Sequence, residues 1–552
     1  MEQKRFLVAI VLCFMVLLFW QMFFAETKDQ APETYQNEGL QQAASLEETK
    51  EKALPLEMMP TSSIVSEAEN DTRAPEIVTV DTPLYTVRIS EKGAGVKSLT
   101  LKDYRETVEK ESEPKEISDP KNEMGTILVG FEGRSVSGIG SAVYTHQSAS
   151  KQIQVSDGYE KVVFKWQSMD GVVIEKAYTF SPDSYLIDVE VSIMNMAATI
   201  LQDSLTLSMI NVIPQDTTMI GFTGPSAMMD GEVQTLKINK LSEKNRLSGN
   251  MTWSAFQDRY FMSTIIPSQT TNIEVRYKLR DEDILESRVV LPEITILPNT
   301  KKKYTFQTYF GPKNVTILKE LGHQLERVVD FGWFDWMARP CLWIMNQIYR
   351  FIPNYGIAII LLTVIIKGVL WPLGNKSYKS MAQMKKMQPL MAELRERYKD
   401  DKQKMNLELM TLYKTYKVNP LGGCLPMLVQ IPVLFALYRM LYQAVELRHE
   451  PFMGWIHDLA APERMFNFGF SIPFMTPPAG IPVLTILMGL SMFVQQKMQP
   501  PMGDPAQAKM MMFMPIFLIF ICMNLSSGLV LYWFISNLLS ILQQYYVNKK
   551  TA

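Results

Sequence analysis

A single lysine interrupts a long apolar segment in the second half of this 552-residue chain. The segment, Tyr355–Leu373, reads YGIAIILLTVIIKGVLWPL and carries Lys367 as its only charged residue. At about 1.5 Å per residue it would extend roughly 28 Å as a helix, close to the thickness of a hydrocarbon core. Placing a charge at that depth costs roughly 3 kcal/mol on insertion scales. The cost is smaller where a polar group, water or the membrane interface solvates the charge. Lys367 is therefore the first candidate for a functional residue.

The position of Lys367 allows two interpretations. It precedes Leu373 by about 9 Å of helix, so its stem could reach the membrane interface near Trp371. Alternatively, Lys367 faces a water-filled space between helices. Thr363, four residues earlier, supports this interpretation because it adds a second polar side chain to the same helix face. Gln430 lies in another apolar segment, where it lines that space or makes a packing hydrogen bond. The sequence leaves these alternatives open.

Motifs for metal, nucleotide or covalent chemistry are missing from the sequence. No P-loop and no G-x-G-x-x-G pattern after a strand occurs, and no disulfide framework is expected between residues 26 and 330, which hold no cysteine. We therefore predict no cofactor, no metal site and no enzyme. The four cysteines and four histidines are scattered without ligand spacing: Cys13, Cys341, Cys424, Cys522, His146, His323, His449 and His457.

The N-terminal half changes composition twice. Residues 1–25 are predicted to be an uncleaved membrane anchor, because the apolar run is longer than in a signal peptide and Lys4 and Arg5 keep the N-terminus in the cytoplasm. Residues 26–75 are polar and predicted to be a flexible periplasmic linker. Residues 76–312 alternate β-branched and aromatic runs with turn residues, which predicts a large periplasmic β-sandwich. Its clearest predicted strands are Leu84–Ile89, Thr126–Phe131, Lys161–Trp166, Val172–Phe180, Tyr185–Met194, Asn272–Lys278 and Lys303–Phe310.

The C-terminal half predicts five more membrane helices. An amphipathic helix interrupted at Pro340 is expected within a connecting segment, 313–353, at the outer interface. The predicted spans are 354–373, 424–442, 481–497, 510–523 and 528–546, separated by a periplasmic loop at 443–480 and followed by a short cytoplasmic tail at 547–552. Two of these spans are short, which would thin the bilayer around them.

The loop between the first two of these spans, 374–419, is strongly basic. It holds eleven Lys or Arg and five Asp or Glu residues, which indicates a cytoplasmic location. Apolar residues at three- and four-residue spacing predict a helical hairpin. Its basic residues suit either anionic lipid head groups or ribosomal RNA. The basic candidates are Lys385, Lys386, Arg395 and Arg397.

Several long matches in order resemble one protein family, the YidC-type membrane protein insertases, which are related to the mitochondrial Oxa and chloroplast Alb insertases. The most specific are Asn419-Pro420-Leu421-Gly422-Gly423-Cys424, Val445-Glu446-Leu447-Arg448, Trp455-Ile456-His457-Asp458-Leu459 and Ser527-Gly528-Leu529-Val530-Leu531-Tyr532. The resemblance covers the whole chain. It implies six transmembrane α-helices, an anchor plus a five-helix insertase core, with a periplasmic domain similar to sugar mutarotases.

The resemblance also implies a hydrophilic groove that receives substrates. Lys367 stands where relatives carry a positive groove residue, often arginine, and Thr363, Gln430 and Tyr532 match groove or substrate-contacting positions. Trp533 stands where some relatives carry a second tyrosine. Lysine keeps the charge but lacks the bidentate geometry of arginine.

The resemblance predicts that the chain inserts and folds nascent membrane proteins in a bacterial inner membrane, alone or with the Sec translocon. Implied partners are ribosomes and targeting factors; the basic loop adds anionic lipids, and the basic flanks predict both termini in the cytoplasm. Two other classes stay open: a small-solute transporter with Lys367 in its substrate site, although no internal repeat is visible, and a membrane-anchored periplasmic carbohydrate-modifying enzyme.

Overall fold

The computed structural model describes residues 74–109, 111–118, 125–136, 138–147, 150–214, 222–280, 283–399, 401–416, 425–499 and 505–551. The predicted anchor, nearly all of the predicted linker and the Asn419–Cys424 motif lie outside these residues.

Residues 77–312, the β domain, form three sheets. The central sheet has nine strands in the order β13-β12-β15-β16-β19-β10-β9-β8-β6; the others have the orders β4-β3-β2-β1-β7 and β14-β17-β18-β11-β5. The strands are β1 Ile77–Asp81, β2 Tyr85–Ser90, β3 Gly95–Arg105, β4 Pro114–Ser118, β5 Leu128–Phe131, β6 Thr145–His146, β7 Gln152–Gln154, β8 Glu160–Gln167, β9 Val172–Phe180, β10 Leu186–Asn195, β11 Leu201–Val212, β12 Gly224–Met229, β13 Glu232–Thr235, β14 Arg246–Gly249, β15 Met251–Gln257, β16 Phe261–Pro267, β17 Ile273–Leu279, β18 Ile284–Ile296 and β19 Thr300–Pro312.

Alternating apolar residues explain the strongest pairings of the β domain. In β10, Ile187, Val189 and Val191 are buried on one face, because successive side chains of a strand point to opposite faces. β10 pairs antiparallel with β19 without interruption, from Leu186 opposite Tyr309 to Asn195 opposite Thr300. All seven strands predicted from the sequence are confirmed, with boundaries shifted by a few residues.

Nine α-helices are described in the remainder of the chain. Among the described residues, only α3 is both long and apolar enough to cross a membrane by length and composition, and shorter apolar helices cover Val483–Met498 and Met512–Cys522. The helices are α1 Val315–Leu321, α2 Asp335–Phe351, α3 Tyr355–Lys386, α4 Gln388–Arg397, α5 Lys402–Thr415, α6 Leu425–Gln443, α7 Val483–Met498, α8 Pro505–Cys522 and α9 Ser527–Thr551.

Several helix boundaries differ from the sequence predictions: α8 begins at Pro505 rather than at 510, and α9 continues to Thr551, through most of the predicted tail. Helix α3 does not end at Leu373 but continues through Pro372 to Lys386, so the first part of the basic loop extends the membrane helix. Proline removes one backbone hydrogen bond, but the Lys, Ser, Met, Ala and Gln residues that follow sustain the helix. Helix α2 likewise continues through Pro340. The helical pair of the loop consists of α4 and α5. A cluster of buried side chains packs between them and the end of α3: Met384, Met387, Met391 and Leu409.

The β domain contacts the helical part through Arg259, in the turn between β15 and β16. Its Nε donates a hydrogen bond to the carbonyl oxygen of Tyr442 at 2.8 Å, and its Nη2 donates to that of Ala460 at 3.2 Å. The guanidinium also lies 3.6 Å from the centre of the Tyr442 ring. This contact fixes which end of the helices faces the β domain: the C-terminal end of α6.

Candidate functional site

Lys367 bonds to side chains of two neighbouring helices. Its Nζ donates hydrogen bonds to Oε1 of Gln430 on α6 at 3.2 Å and to Oγ of Ser540 on α9 at 2.7 Å. The side chain is only partly buried. Within the part of the chain that the structure describes, no carboxylate pairs with it. Lys367 is therefore a positive charge held between three helices by neutral acceptors.

The polar cluster comprises Lys367, Gln430, Ser536 and Ser540. Nε2 of Gln430 donates to Oγ of Ser536 at 2.8 Å, so one amide bonds both to Lys367 and to α9. Ser536 and Ser540 are four residues apart and share one face of α9. Both hydroxyl groups are buried, and that of Ser540 also donates to the carbonyl oxygen of Ser536 at 2.8 Å. The polar cluster therefore joins side chains of α3, α6 and α9.

The other predicted site residues lie next to the polar cluster but contribute differently. Thr363 is fully buried and its hydroxyl donates to the carbonyl oxygen of Ile359 in its own helix at 2.6 Å. Tyr532 is buried one turn before Ser536, with its hydroxyl group near Gln430 and Ser536. Trp533 is half-buried and packs against the apolar core. The structure thus brings Lys367, Gln430 and Tyr532 together, whereas the hydroxyl group of Thr363 bonds within α3.

A second polar contact lies farther along the same two helices. Nε2 of Gln543 on α9 donates to the carbonyl oxygen of Trp371 and to Oδ1 of Asn375 on α3, both at 3.0 Å. Gly374 is what allows this approach, because a Cβ there would stand 2.8 Å from the Gln543 amide. From Lys367 to Gln543 the contact between α3 and α9 is therefore polar at successive turns.

Sequence reasoning missed Ser536, Ser540 and Gln543. Their signal was available: these residues recur at three- and four-residue spacing in the apolar sequence of α9. The spacing alone does not distinguish this use from ordinary helix packing, in which small and polar residues are also common.

The basic candidates lie outside the polar cluster, on or beside the helical pair. Lys385 and Lys386 are exposed at the end of α3, and Arg397 is exposed at the end of α4, where its nearest acid is Glu393 at 3.7 Å. Arg395 is partly buried. These side chains place positive charge at the C-terminal end of α3. The polar contacts between α3 and α9 run toward the same end.

A group of possible metal ligands was not predicted: Glu76, Glu91 and His146 in the β domain. Their ligand atoms lie within 4.8 Å of one another. However, the carboxylate of Glu91 already accepts hydrogen bonds from the backbone N–H of Glu76 at 2.9 Å and contacts Nδ1 of His146 at 3.0 Å. These contacts account for the buried carboxylate as part of the domain's packing.

Sequence comparison divides the chain at the junction between its β domain and its helices. The family described as "YidC periplasmic domain" matches residues 77–344, and the one described as "60Kd inner membrane protein" matches residues 347–552. The chain is 37% identical over 558 residues to "Membrane protein insertase YidC" of Syntrophus aciditrophicus strain SB, with 99% of each chain covered. The chain belongs to the YidC family of membrane protein insertases.

Other YidC relatives show the same correspondence. "Membrane protein insertase YidC" of Geotalea uraniireducens strain Rf4 is 40% identical over 477 residues, covering 85% of this chain and 86% of the relative. A solved structure described as an active YidC insertase aligns with 86% of this chain and 93% of its own at 18% identity and a TM-score of 0.38, which adds nothing to the sequence match. The β domain is therefore the periplasmic domain of a bacterial inner-membrane protein. The solute-transporter alternative finds no support among these relatives.

Proposed function

We propose that this YidC insertase receives the polar segments of nascent membrane proteins at the polar cluster. The observation that carries the proposal is the position of Lys367, whose amino group is held by Gln430 and Ser540 between three apolar helices. Lys367 lies twelve residues into α3 from its N-terminus at Tyr355, about 18 Å along the helix from the β-domain end. The charge therefore lies within the apolar part of α3, where a lower dielectric constant makes its attraction for a negative group stronger than at the aqueous surface.

The cluster lowers the cost of moving a polar segment into the bundle. A substrate's polar or acidic segment loses hydration there, and hydrogen bonds and positive charge offset part of that loss. Its apolar segment then partitions into lipid beside the insertase, and burial of about twenty apolar residues supplies the driving force without a nucleotide. The membrane potential adds about 2.3 kcal/mol per charge per 100 mV for a negative segment moving outward. No covalent step is required, so we propose no enzymatic activity.

The proposed topology has six transmembrane helices: residues 1–25, α3, α6, α7, α8 and α9. Apolar side chains exposed on α7 and α8, including Leu490, Phe513 and Phe520, support a lipid-facing surface. With sixteen residues, α7 extends only about 24 Å, so the bilayer is thin beside it. Because the β domain is periplasmic, the opposite ends of α3 and α9 are cytoplasmic, and we propose cytoplasmic N- and C-termini.

The helical pair α4–α5 is the proposed cytoplasmic contact for partners. Lys385 and Lys386 are exposed at the adjoining end of α3, Arg397 is exposed at the end of α4, and Arg395 is partly buried. This positive charge suits the phosphates of ribosomal RNA or anionic lipid. A substrate released at this position would start next to the cytoplasmic end of the α3–α9 contact. Cooperation with targeting factors and the Sec translocon is part of the same proposal.

The test is insertion of a short single-span substrate into vesicles containing only this protein. We compare Lys367 with Lys367→Arg, Lys367→Glu and Lys367→Ala, and use Lys549→Ala, at the exposed end of α9, as the matched control. A loss of about 1–2 kcal/mol of stabilisation would lower insertion roughly five- to thirtyfold. We expect that loss with Ala and a larger one with Glu, while Arg and the control retain activity. Equal insertion by all variants would refute a role for the charge.

A further inference from the structure

The connection between α6 and α7 contains an exposed aromatic segment, residues 465–481, which we call the aromatic loop. Its sequence, MFNFGFSIPFMTPPAGI, has no charged residue, and none follows until Lys497. Phe466, Phe470 and Phe474 expose 66%, 64% and 91% of their surface. Apolar side chains exposed to this extent mark a surface that another molecule or a membrane covers.

The aromatic loop is a defined structure. Its ends are joined by a two-residue bridge between Met465 and Ile481, and the Phe468 N–H donates to the carbonyl oxygen of Ala479 at 3.0 Å. Asn524, in the turn between α8 and α9, accepts from the Thr476 N–H at 3.0 Å and donates through Nδ2 to the carbonyl oxygen of Phe474 at 2.8 Å. These hydrogen bonds hold the backbone that carries the exposed phenylalanines.

Two of the exposed phenylalanines occupy an unfavourable backbone conformation. Phe466 and Phe474 have φ angles of 58° and 66°, in the left-handed region that glycine and asparagine adopt far more readily. Neither side chain is buried, so packing in the protein does not account for their choice. An aromatic residue kept at such a position points to an interaction outside the chain.

The position of the loop identifies the partner. It is bonded to the α8–α9 turn, at the end of the bundle that contacts the periplasmic β domain through Arg259 and Ala460. From there the exposed apolar surface continues along α7 and α8. The exposed residues of that surface are Ile486, Leu487, Leu490, Val494, Phe513, Ile516, Phe517 and Phe520.

We propose that the aromatic loop inserts its phenylalanines into the outer leaflet of the inner membrane, at the level of the lipid head groups. The absence of charge, the aromatic side chains and the continuity with the apolar surface of α7 and α8 suit this interfacial zone. The loop would anchor the outer ends of α7, α8 and α9 in the bilayer. This inference rests on the membrane topology proposed above but is independent of the role of Lys367.

The test uses the full chain in phospholipid vesicles with an environment-sensitive fluorescent amino acid in place of Phe470. The matched control carries the same fluorophore at Tyr159, an aromatic residue of the β domain that is 77% exposed. We expect emission at position 470 to shift to the blue and to be quenched by lipids with a doxyl group near the head group. Emission at position 159 should be quenched by aqueous iodide instead. Equal behaviour of the two positions would overturn the proposal.

A second variant separates the side chains from the loop backbone. Phe466→Asn and Phe474→Asn together remove two aromatic rings while supplying a residue that favours the observed φ angles. We expect at least a twofold loss of lipid quenching at position 470, and unchanged quenching would overturn anchoring by these side chains. In the protein with Phe466 and Phe474 intact, absence of lipid quenching at position 470 together with energy transfer between labelled copies would identify a second copy as the occupant and also overturn the proposal.

Discussion

At the scale of single residues, Lys367 illustrates how an apolar bundle can hold a charge without neutralising it. Gln430 and Ser540 provide oxygen acceptors at 3.2 and 2.7 Å, which replace water but leave the net charge in place. A carboxylate would bind the amino group more strongly and would cancel its attraction for a substrate's acidic segment. Neutral partners therefore suit the proposed role, in which the site attracts a group transiently and then releases it.

Replacing the neutral partner of Lys367 by an acid should reduce activity without altering the lysine. Gln430→Glu preserves the shape of the side chain and forms an ion pair with Lys367. We expect insertion to fall at least severalfold, since an ion pair of even 1.4 kcal/mol changes an equilibrium tenfold. Insertion into vesicles measures the effect, and full activity of this variant would contradict the requirement for an unneutralised charge.

Exchanging the two side chains provides the control for that variant. Lys367→Gln combined with Gln430→Lys keeps one positive charge and one amide in the polar cluster but moves the charge from α3 to α6. We expect the exchange to restore a measurable part of the activity lost in Lys367→Gln alone. If it restores none, the position of the charge on α3 matters rather than its presence in the cluster.

Sequence reasoning located the charged residue but not all of its partners. Lys367 and Gln430 stand out because each interrupts an apolar segment at a high energetic cost. Ser536 and Ser540 do not, because a serine in a membrane helix can satisfy its hydroxyl with its own backbone, as Ser540 does with the carbonyl oxygen of Ser536. Only the packing of α9 against α3 shows that the same hydroxyl group faces Lys367.

At the scale of elements, hydropathy located the helices better than it located their ends. The apolar part of α3 ends near Leu373, but the helix continues to Lys386, because a membrane boundary changes side-chain polarity without requiring the backbone to break. The strands were predicted more accurately. In β9 and β10, β-branched and aromatic residues with Gly171 and Pro182 nearby mark both type and boundaries.

The junction between β19 and α1 should make stability depend on pH. Lys313 is buried there, its Nζ donates to the carbonyl oxygen of Asp258 at 3.0 Å, and burial lowers the pKa of Lys313 to about 8. The folded state then binds fewer protons than the unfolded state between pH 8 and the unfolded pKa near 10.5. In that interval the contribution of Lys313 to stability rises with pH, by up to about 1.4 kcal/mol per pH unit. Below pH 8 the cost of its charge is constant.

Lys313→Met should remove this slope. We expect the difference in unfolding free energy between the original chain and the variant to change by about 3 kcal/mol in total between pH 8 and 10.5. Thermal unfolding of the full chain in detergent at several pH values, followed by near-ultraviolet circular dichroism, measures it. A difference independent of pH would show that Lys313 titrates normally in the folded protein.

At the scale of the whole molecule, a small set of polar contacts joins the periplasmic domain to the membrane helices. Asn314, which follows β19, donates to Oε1 of Glu446 at 3.1 Å, and desolvation raises the pKa of that carboxyl. Arg448 donates to the carbonyl oxygen of Glu106 at 3.0 Å. Such contacts depend on residues far apart in sequence, so no local pattern could predict them. The family resemblance predicted both parts of the chain but not the side chains that connect them.

Arg259 makes two hydrogen bonds and a ring contact between the β domain and the helical part. It should therefore stabilise the junction between them against local opening. Arg259→Ala removes two charge-assisted hydrogen bonds and the stacking on Tyr442, a loss of about 2–4 kcal/mol. We expect backbone amides of residues 257–261 and 443–460 to exchange hydrogen at least tenfold faster, while those of β9 and β10 stay unchanged. Arg259→Lys, which keeps the charge and loses the planar donor pair, should give an intermediate rate. Accelerated exchange throughout the β domain would instead mean that Arg259 stabilises the domain itself, because local opening at a junction leaves the core strands protected.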